Sequence, residues 1–378
     1  MSHAEEDWTN RRAWRSLVER VASLVDNDCF GAVGIQALNR VHSPVILRGN
    51  ARPDEPVTEQ SLFLVASLTK PVVAAATMSL VEAGVISLNQ RVSEILPEWN
   101  RGERRRITIR QLLCHASGLP DQLPSNVELR NQRAPLDEFY RLTTEVPLDY
   151  PPGKGSRYQS MGYLVLGRLI EQLSGEPLPE FVRRTIFEPL QMHNTFLGAA
   201  EGPQRSAVLR RVIDVQLPRE QADCSGHWNS DYWRSLGAPW GGMLSTPSDV
   251  LTFCREMLAC YHGTGKLLSS ASVREMCAPQ LEFFEEMPKR ERRFRSWGLG
   301  WRHNWKSHAE TFGDCLPPLV VGHWGATGCL MWIDMQAESA AVICTTVPSS
   351  ESRSQLVRLS NLVHTAVQQS QAHRQLTT

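Results

Sequence analysis

The sequence predicts an α+β fold, an antiparallel sheet flanked by helices, with an all-helical lobe inserted between its two halves. Three observations carry this expectation. Strand-like apolar runs lie near both ends of the chain, at 32–47 and again at 297–301, 319–322, 329–334 and 340–346. The stretch between them is spaced mostly as helix, and further helical segments bracket the strands at 10–27 and from 355 to about 369. Termini that share one layer, with a middle that folds beside it, imply two lobes. Residues 1–60 plus 290–378 are expected to form a mixed α/β lobe and 61–289 a mainly helical one, with a cleft between them.

Each element has its own signal. Trp14, Leu17, Val18, Val21, Leu24 and Val25 recur at helical spacing, and the apolar, Gly-containing run after them reads as a strand pair. Residues 67–83 form a helix apolar nearly all round, hence buried, which Gly84 ends in the C-terminal capping position. From 107 to 196 the clearest helices are 161–173 and 178–187, with turns at Ser117-Gly118-Leu119-Pro120 and Pro151-Pro152-Gly153. Residues 198–236 lack periodicity and read as a long surface excursion, a class of loop that often serves as a lid. A helix over 248–261 follows, with Asp249 placed against its dipole, and the densely charged 285–295 reads as a solvated loop.

Composition narrows the function. With 378 residues and 42% hydrophobic content the chain can bury a full core. Forty basic and 40 acidic residues balance, which excludes a nucleic-acid footprint and a general attraction to anionic membranes. The polar, acidic start lacks a secretory pattern, and no apolar stretch approaches the roughly 20 residues that span a bilayer. Nine cysteines, an odd number without a Cys-x-x-Cys pair or a zinc-spaced histidine set, suit small buried hydrophobes in a reducing compartment. The expected protein is cytoplasmic, without a metal, a nucleic-acid partner or a membrane partner.

The chemistry gathers at three places. Ser67 and Lys70 stand in a Ser-x-x-Lys motif; a serine hydroxyl is a weak nucleophile and needs a base, and positions i and i+3 share a helix face. Pro71 supports a helix start there, and the positive helix end, with burial, disfavours a protonated lysine. Tyr158, in Tyr158-Gln159-Ser160, is a phenol that carries protons only where a cation such as Lys70 stabilises its phenolate. The third place is Gly-His-Trp-Gly-Ala-Thr-Gly at 322–328, whose glycines let a strand backbone approach substrate. There the amides of Ser67 and Ala326 can jointly hold an oxyanion.

These pieces, in this order, resemble the serine β-lactamase and penicillin-binding-protein superfamily, nearest its class C branch with the related esterases and D-amino peptidases. Leu-Leu-Cys-His-Ala-Ser-Gly-Leu-Pro at 112–120, Phe-Glu-Pro-Leu-Gln-Met at 187–192 and Gly-Gly-Met-Leu-Ser-Thr at 241–246 with Asp249 are similar to family segments. The resemblance covers about 30–350. It implies a β-lactamase/transpeptidase-like fold, Ser67 as acylated nucleophile, Lys70 as its proton acceptor and Tyr158 as the relay to leaving group and water. Ala326 is implied as the second oxyanion residue. In the strand His323-Trp324-Gly325, His323 takes the place of the family's lysine and is expected to touch Tyr158 or a substrate carboxylate.

Two departures shift the expected substrate. Ser160 replaces an asparagine whose amide orients β-lactam side chains, and His323, mostly neutral at pH 7, binds an anionic carboxylate less well than lysine. Both favour a carboxylic ester, with weak β-lactamase activity beside it. Trp240, Trp324 and aromatics of 228–233 are candidates to line the pocket. A β-lactamase, a D-amino peptidase or amidase with the same site, and a catalytically idle binding protein are the competing readings. The expected partner is a small ester or amide, and no cofactor is implied.

Overall fold

A computed structural model describes residues 8–294, 296–306 and 311–375 of the chain. The polar start read at residues 1–7, and Arg295 in the charged stretch, lie outside them. Among the described residues an eight-stranded antiparallel sheet is built from both ends of the sequence. Its strands are β1 (Ala32–Asn39), β2 (Val41–His42), β3 (Ile46–Arg52), β4 (Glu55–Pro56), and, after the small strands β5 (Phe63–Leu64), β6 (Phe196–Leu197) and β7 (Met243–Ser245), β8 (Arg302–His303), β9 (Val321–Gly325), β10 (Cys329–Asp334) and β11 (Ser339–Thr345). The order β4-β3-β1-β11-β10-β9-β8 joins the two chain ends through the β1–β11 pair, with Ile35 opposite Ile343, while β2 pairs only with β1. The small strands form a separate three-stranded sheet, β5-β7-β6.

Side-chain alternation divides the core. Leu330, Trp332, Ala341 and Ile343 face the terminal helices α1 (Arg12–Asp26) and α5 (Ser349–Gln375), where Trp14, Leu17, Val21, Leu359 and Val363 cover them. Met331, Ile333, Val342 and Cys344 face the other way, into a larger core that contains α2 (Thr69–Glu82) and α3 (Met161–Ser174). The helix α4 (Pro247–Tyr261), part of the stretch expected to fold as the helical lobe, lies against β1 and β11. α3 ends where Gly175 adopts φ +74, the left-handed cap that a glycine accepts at little cost. All nine cysteines are free.

Two stretches differ from their sequence reading. The 198–236 segment is not a bare surface loop. It contains the short helices Arg205–Arg211 and Asp231–Ser235 and buries Val208, Val212, Ile213, Val215 and Trp233. Its apolar residues fall at irregular intervals among Arg, Gln and Ser, so no period showed. The charged stretch carries a short helix, Lys289–Phe294, and docks on the turn before Tyr158: Glu286 pairs with Lys154 at 2.7 Å and Glu291 accepts the Ser156 amide at 2.9 Å. Among the described residues no helix is long and apolar enough to cross a membrane, and no group of His, Cys, Asp and Glu is arranged to hold a metal.

Candidate active site

The site begins at a turn under tension. Ala66 has φ +48, a left-handed conformation uncommon for a residue with a side chain. It opens a 3-10 turn, Ala66–Leu68, that runs into α2. Ser67 therefore lies in the 3-10 turn rather than in the α-helix itself, and in that tighter winding residues i and i+3 sit one above the other. The Thr69 hydroxyl fastens the turn by donating to the Ala66 carbonyl at 2.6 Å and accepting from the Met243 amide at 3.1 Å.

Lys70 is buried completely, and its Nζ donates to Ser67 Oγ at 3.2 Å, to the Trp240 carbonyl at 2.8 Å and to Ser160 Oγ at 3.4 Å. Burial removes the water that would stabilise an ammonium and lowers its pKa to about 7, against the opposing pull of the Asp121 carboxylate. A substantial share of Lys70 is then a neutral amine beside the serine hydroxyl at neutral pH. Ser160, buried between them, passes its own hydroxyl proton toward Asp121 Oδ1 at 2.6 Å.

Tyr158 completes the group. Its ring centroid is 4.6 Å from Lys70 Nζ, and it stacks on Trp297 at 5.8 Å and tilts against His115 at 4.8 Å. His115 is itself held at φ +61; its Nδ1 accepts the Gln159 amide at 3.2 Å, and burial, with Lys70 next in effect, keeps its pKa far below that of a free imidazole. His323 is buried on β9 beside Tyr158. Its Nδ1 bonds the Trp324 carbonyl at 2.8 Å, and burial first, then Lys70, push its pKa down to about 3. A ring that stays neutral cannot serve as a charged anchor for a carboxylate. It lies instead as a neutral neighbour of Tyr158, ring centroids 5.9 Å apart.

Strand β9 sits close over the serine turn because residue 325 is glycine. A Cβ there would fall 2.4 Å from the Val65 carbonyl oxygen and 3.3 Å from Leu68 Cδ1, so any other residue would push β9 away. Ala326 follows and lines the cavities on both sides of Ser67. The first cavity, about 450 Å³, runs past Tyr158, Trp297, Trp305, His323 and Trp324. The second, about 350 Å³, lies beyond Ser160 and includes Asp121, Trp228 and Trp240. Trp240 thus has two contacts with the site: its carbonyl holds Lys70, and its indole packs near Phe139 and Trp233 at 6.0 and 6.3 Å.

Sequence reasoning did not point to Asp121, His115 or Trp297, nor to Arg302 and Arg353, which also line the first cavity. His115 lay inside the quoted 112–120 segment, and Asp121 directly follows it. The others come from segments whose local pattern carries no chemical signal. The Beta-lactamase family matches this chain over residues 29–364. The chain belongs to the beta-lactamase family. This family member is 30% identical to penicillin-binding protein 4 of Amycolatopsis lactamdurans over 301 residues, 77% of this chain and 72% of that one. It is 29% identical to esterase EstB of Burkholderia gladioli over 304 residues, 71% and 74% of the two chains. Its fold is shared with the hydrolase EstCE1, at TM-score 0.75, 19% identity, and 96% and 100% coverage. The D-amino acid amidase of Ochrobactrum anthropi also shares it, at TM-score 0.72, 20% identity, and 94% and 99% coverage. The beta-lactamase-family protein is accordingly a serine hydrolase with an α+β, transpeptidase-like architecture.

Proposed function

We propose that the protein hydrolyses a small carboxylic ester through an acyl-enzyme on Ser67. The observation that carries the reading is the buried Lys70, its pKa at about 7, hydrogen-bonded to Ser67 Oγ at 3.2 Å. Neutral Lys70 takes the hydroxyl proton as Ser67 Oγ attacks the ester carbonyl. The amides of Ser67 and Ala326 hold the resulting oxyanion, each such donor lowering the barrier by about 2.7–4 kcal/mol in related chemistry. Tyr158, over Lys70, relays the proton to the departing alkoxide; the acyl-enzyme then meets water, whose proton returns by the same route. Only side chains and amides take part.

Three features support an ester over a β-lactam. The neutral His323 supplies no charge for a carboxylate, Ser160 spends its hydroxyl on Asp121, and the first cavity is walled by Trp297, Trp305 and Trp324. An alkoxide leaving group also needs less help from a proton donor than an amide nitrogen does. Free thiols throughout support a reducing, cytoplasmic setting. Turnover of p-nitrophenyl butyrate, a chromogenic cephalosporin and a D-alanyl p-nitroanilide tests the proposal. The butyrate should give the highest kcat/KM; faster cephalosporin turnover would remove the case built on His323 and Ser160.

A further inference from the structure

Ser67 stands between two cavities of different charge. Arg157, Arg302 and Arg353 contribute to the wall of the first, and no carboxylate lines it among the described residues. Asp121 and Glu220 contribute to the wall of the second, together with Trp228 and Trp240. Arg353 stands at the boundary that both share. Arg130 also reaches the second cavity, but its guanidinium is engaged: Nε donates to the Gly226 carbonyl at 2.8 Å, Nη2 to Gln221 Oε1 at 3.0 Å, and the group lies 4.3 Å over Trp233.

Asp121 is tied to the Lys70 group through Ser160. Its Oδ1 accepts the Ser160 hydroxyl at 2.6 Å and its backbone carbonyl accepts the Ser160 amide at 3.3 Å, so both ends of the residue are tied to a buried side chain that also touches Lys70. The residue is nonetheless exposed, on the wall of a cavity that opens onto the nucleophile, and it forms no salt bridge among the described residues. One carboxylate oxygen is fixed while the group as a whole meets solvent. That is the layout of a recognition group rather than of a buried structural acid.

We propose that Asp121 determines specificity by holding an ammonium-type cation of the substrate in the second cavity. This rests on the reading of Ser67 as the nucleophile of an ester hydrolase. A fixed carboxylate attracts a cation at modest strength in a partly solvated site, and tryptophans in the same wall favour a cation further. A carbon isostere, with a tert-butyl group where the substrate has trimethylammonium, gains neither effect.

The test uses the full chain and two isosteric ester pairs at one ionic strength. In the first, the methyl ester of trimethylammonioacetate is set against that of tert-butylacetate, which places the charge on the acyl portion. In the second, acetylcholine is set against its all-carbon isostere, which places it on the alcohol. For each pair the ratio of kcat/KM, cation over neutral, is measured in the wild type and in Asp121→Asn, whose side-chain carbonyl can still accept from Ser160. The ratio cancels intrinsic reactivity and any change at Lys70. It is expected to fall about tenfold in the variant for one of the pairs, and to shrink in the wild type as salt is raised. Neutral esters hydrolysed with ratios unchanged by the substitution in both pairs would overturn the role of Asp121 alone. Hydrolysis of no member of either pair by the wild type would overturn the ester reading and this inference with it.

Discussion

Replacing Lys70 with methionine should abolish turnover and, at the same time, make the protein harder to unfold in mild acid. Lys70 is fully buried, and its pKa falls from an ordinary 10.5 to about 7 because the ammonium loses its hydration. Each pH unit of that separation corresponds to about 1.36 kcal/mol, so holding the charged form inside costs the folded state on the order of 5 kcal/mol. The sign follows from proton counts. Between about pH 7 and pH 10.5 the unfolded chain keeps a proton on Lys70 that the folded chain has released, so stability rises with pH across that window. Below about pH 7 both states are protonated and the full cost is present. Methionine removes the cost at every pH but leaves the Trp240 carbonyl without its donor, a loss of about 1–3 kcal/mol. Near pH 6 the variant should therefore be more stable by about 2–4 kcal/mol, and near pH 9 that advantage should have shrunk by about 2–3 kcal/mol. Urea unfolding of both proteins at the two pH values reads the difference directly. A stability difference independent of pH would refute a lysine whose charge burial suppresses.

The same lysine sets the pH dependence of catalysis. The acidic limb of kcat/KM should bend near pH 7 and fall about tenfold for each further pH unit. Asp121→Asn removes the carboxylate that favours the ammonium, so the limb should move to lower pH; a shift to higher pH would contradict the Asp121–Ser160–Lys70 arrangement. Gly325→Ala puts a methyl 2.4 Å from the Val65 carbonyl and must displace β9 from the serine turn. A displacement near 1 Å at a reacting centre can cost about a hundredfold, so kcat should drop by that order while circular dichroism stays unchanged. An alanine variant of wild-type kcat would show that the close approach of β9 is not needed.

Much of the fold was legible because the patterns are local. β10 was read to the residue at 329–334, since an apolar run between Gly328 and a turn has one natural register. α3 was read within a residue from its apolar helical spacing. The serine turn was harder: the sequence implies a helix from Ser67, whereas a left-handed Ala66 and a 3-10 turn are found there, fastened by the Thr69 hydroxyl, which also accepts the amide of the sequence-distant Met243. Ser160 was read as the loss of an amide. Its bond to Asp121 depends on a turn 39 residues away and left no local trace. His323 could be placed beside Tyr158 from a motif and read as mostly neutral from its ordinary pKa, but the further depression comes from its own burial on β9 and from Lys70, which only the assembled fold supplies. The 198–236 segment was misjudged for a related reason. Arg130, in the helical lobe, reaches Gln221 and Gly226 there, so polar contacts rather than an apolar stripe hold part of that segment down.

A serine-directed fluorophosphonate, followed by intact-mass measurement of the wild type and of Ser67→Ala, tests the acyl-enzyme reading most directly. One adduct per chain is expected on the wild type, mapping to Ser67 after proteolysis, and none on the variant. An unlabelled wild type, or a variant labelled as fast as the wild type, would contradict Ser67 as the nucleophile.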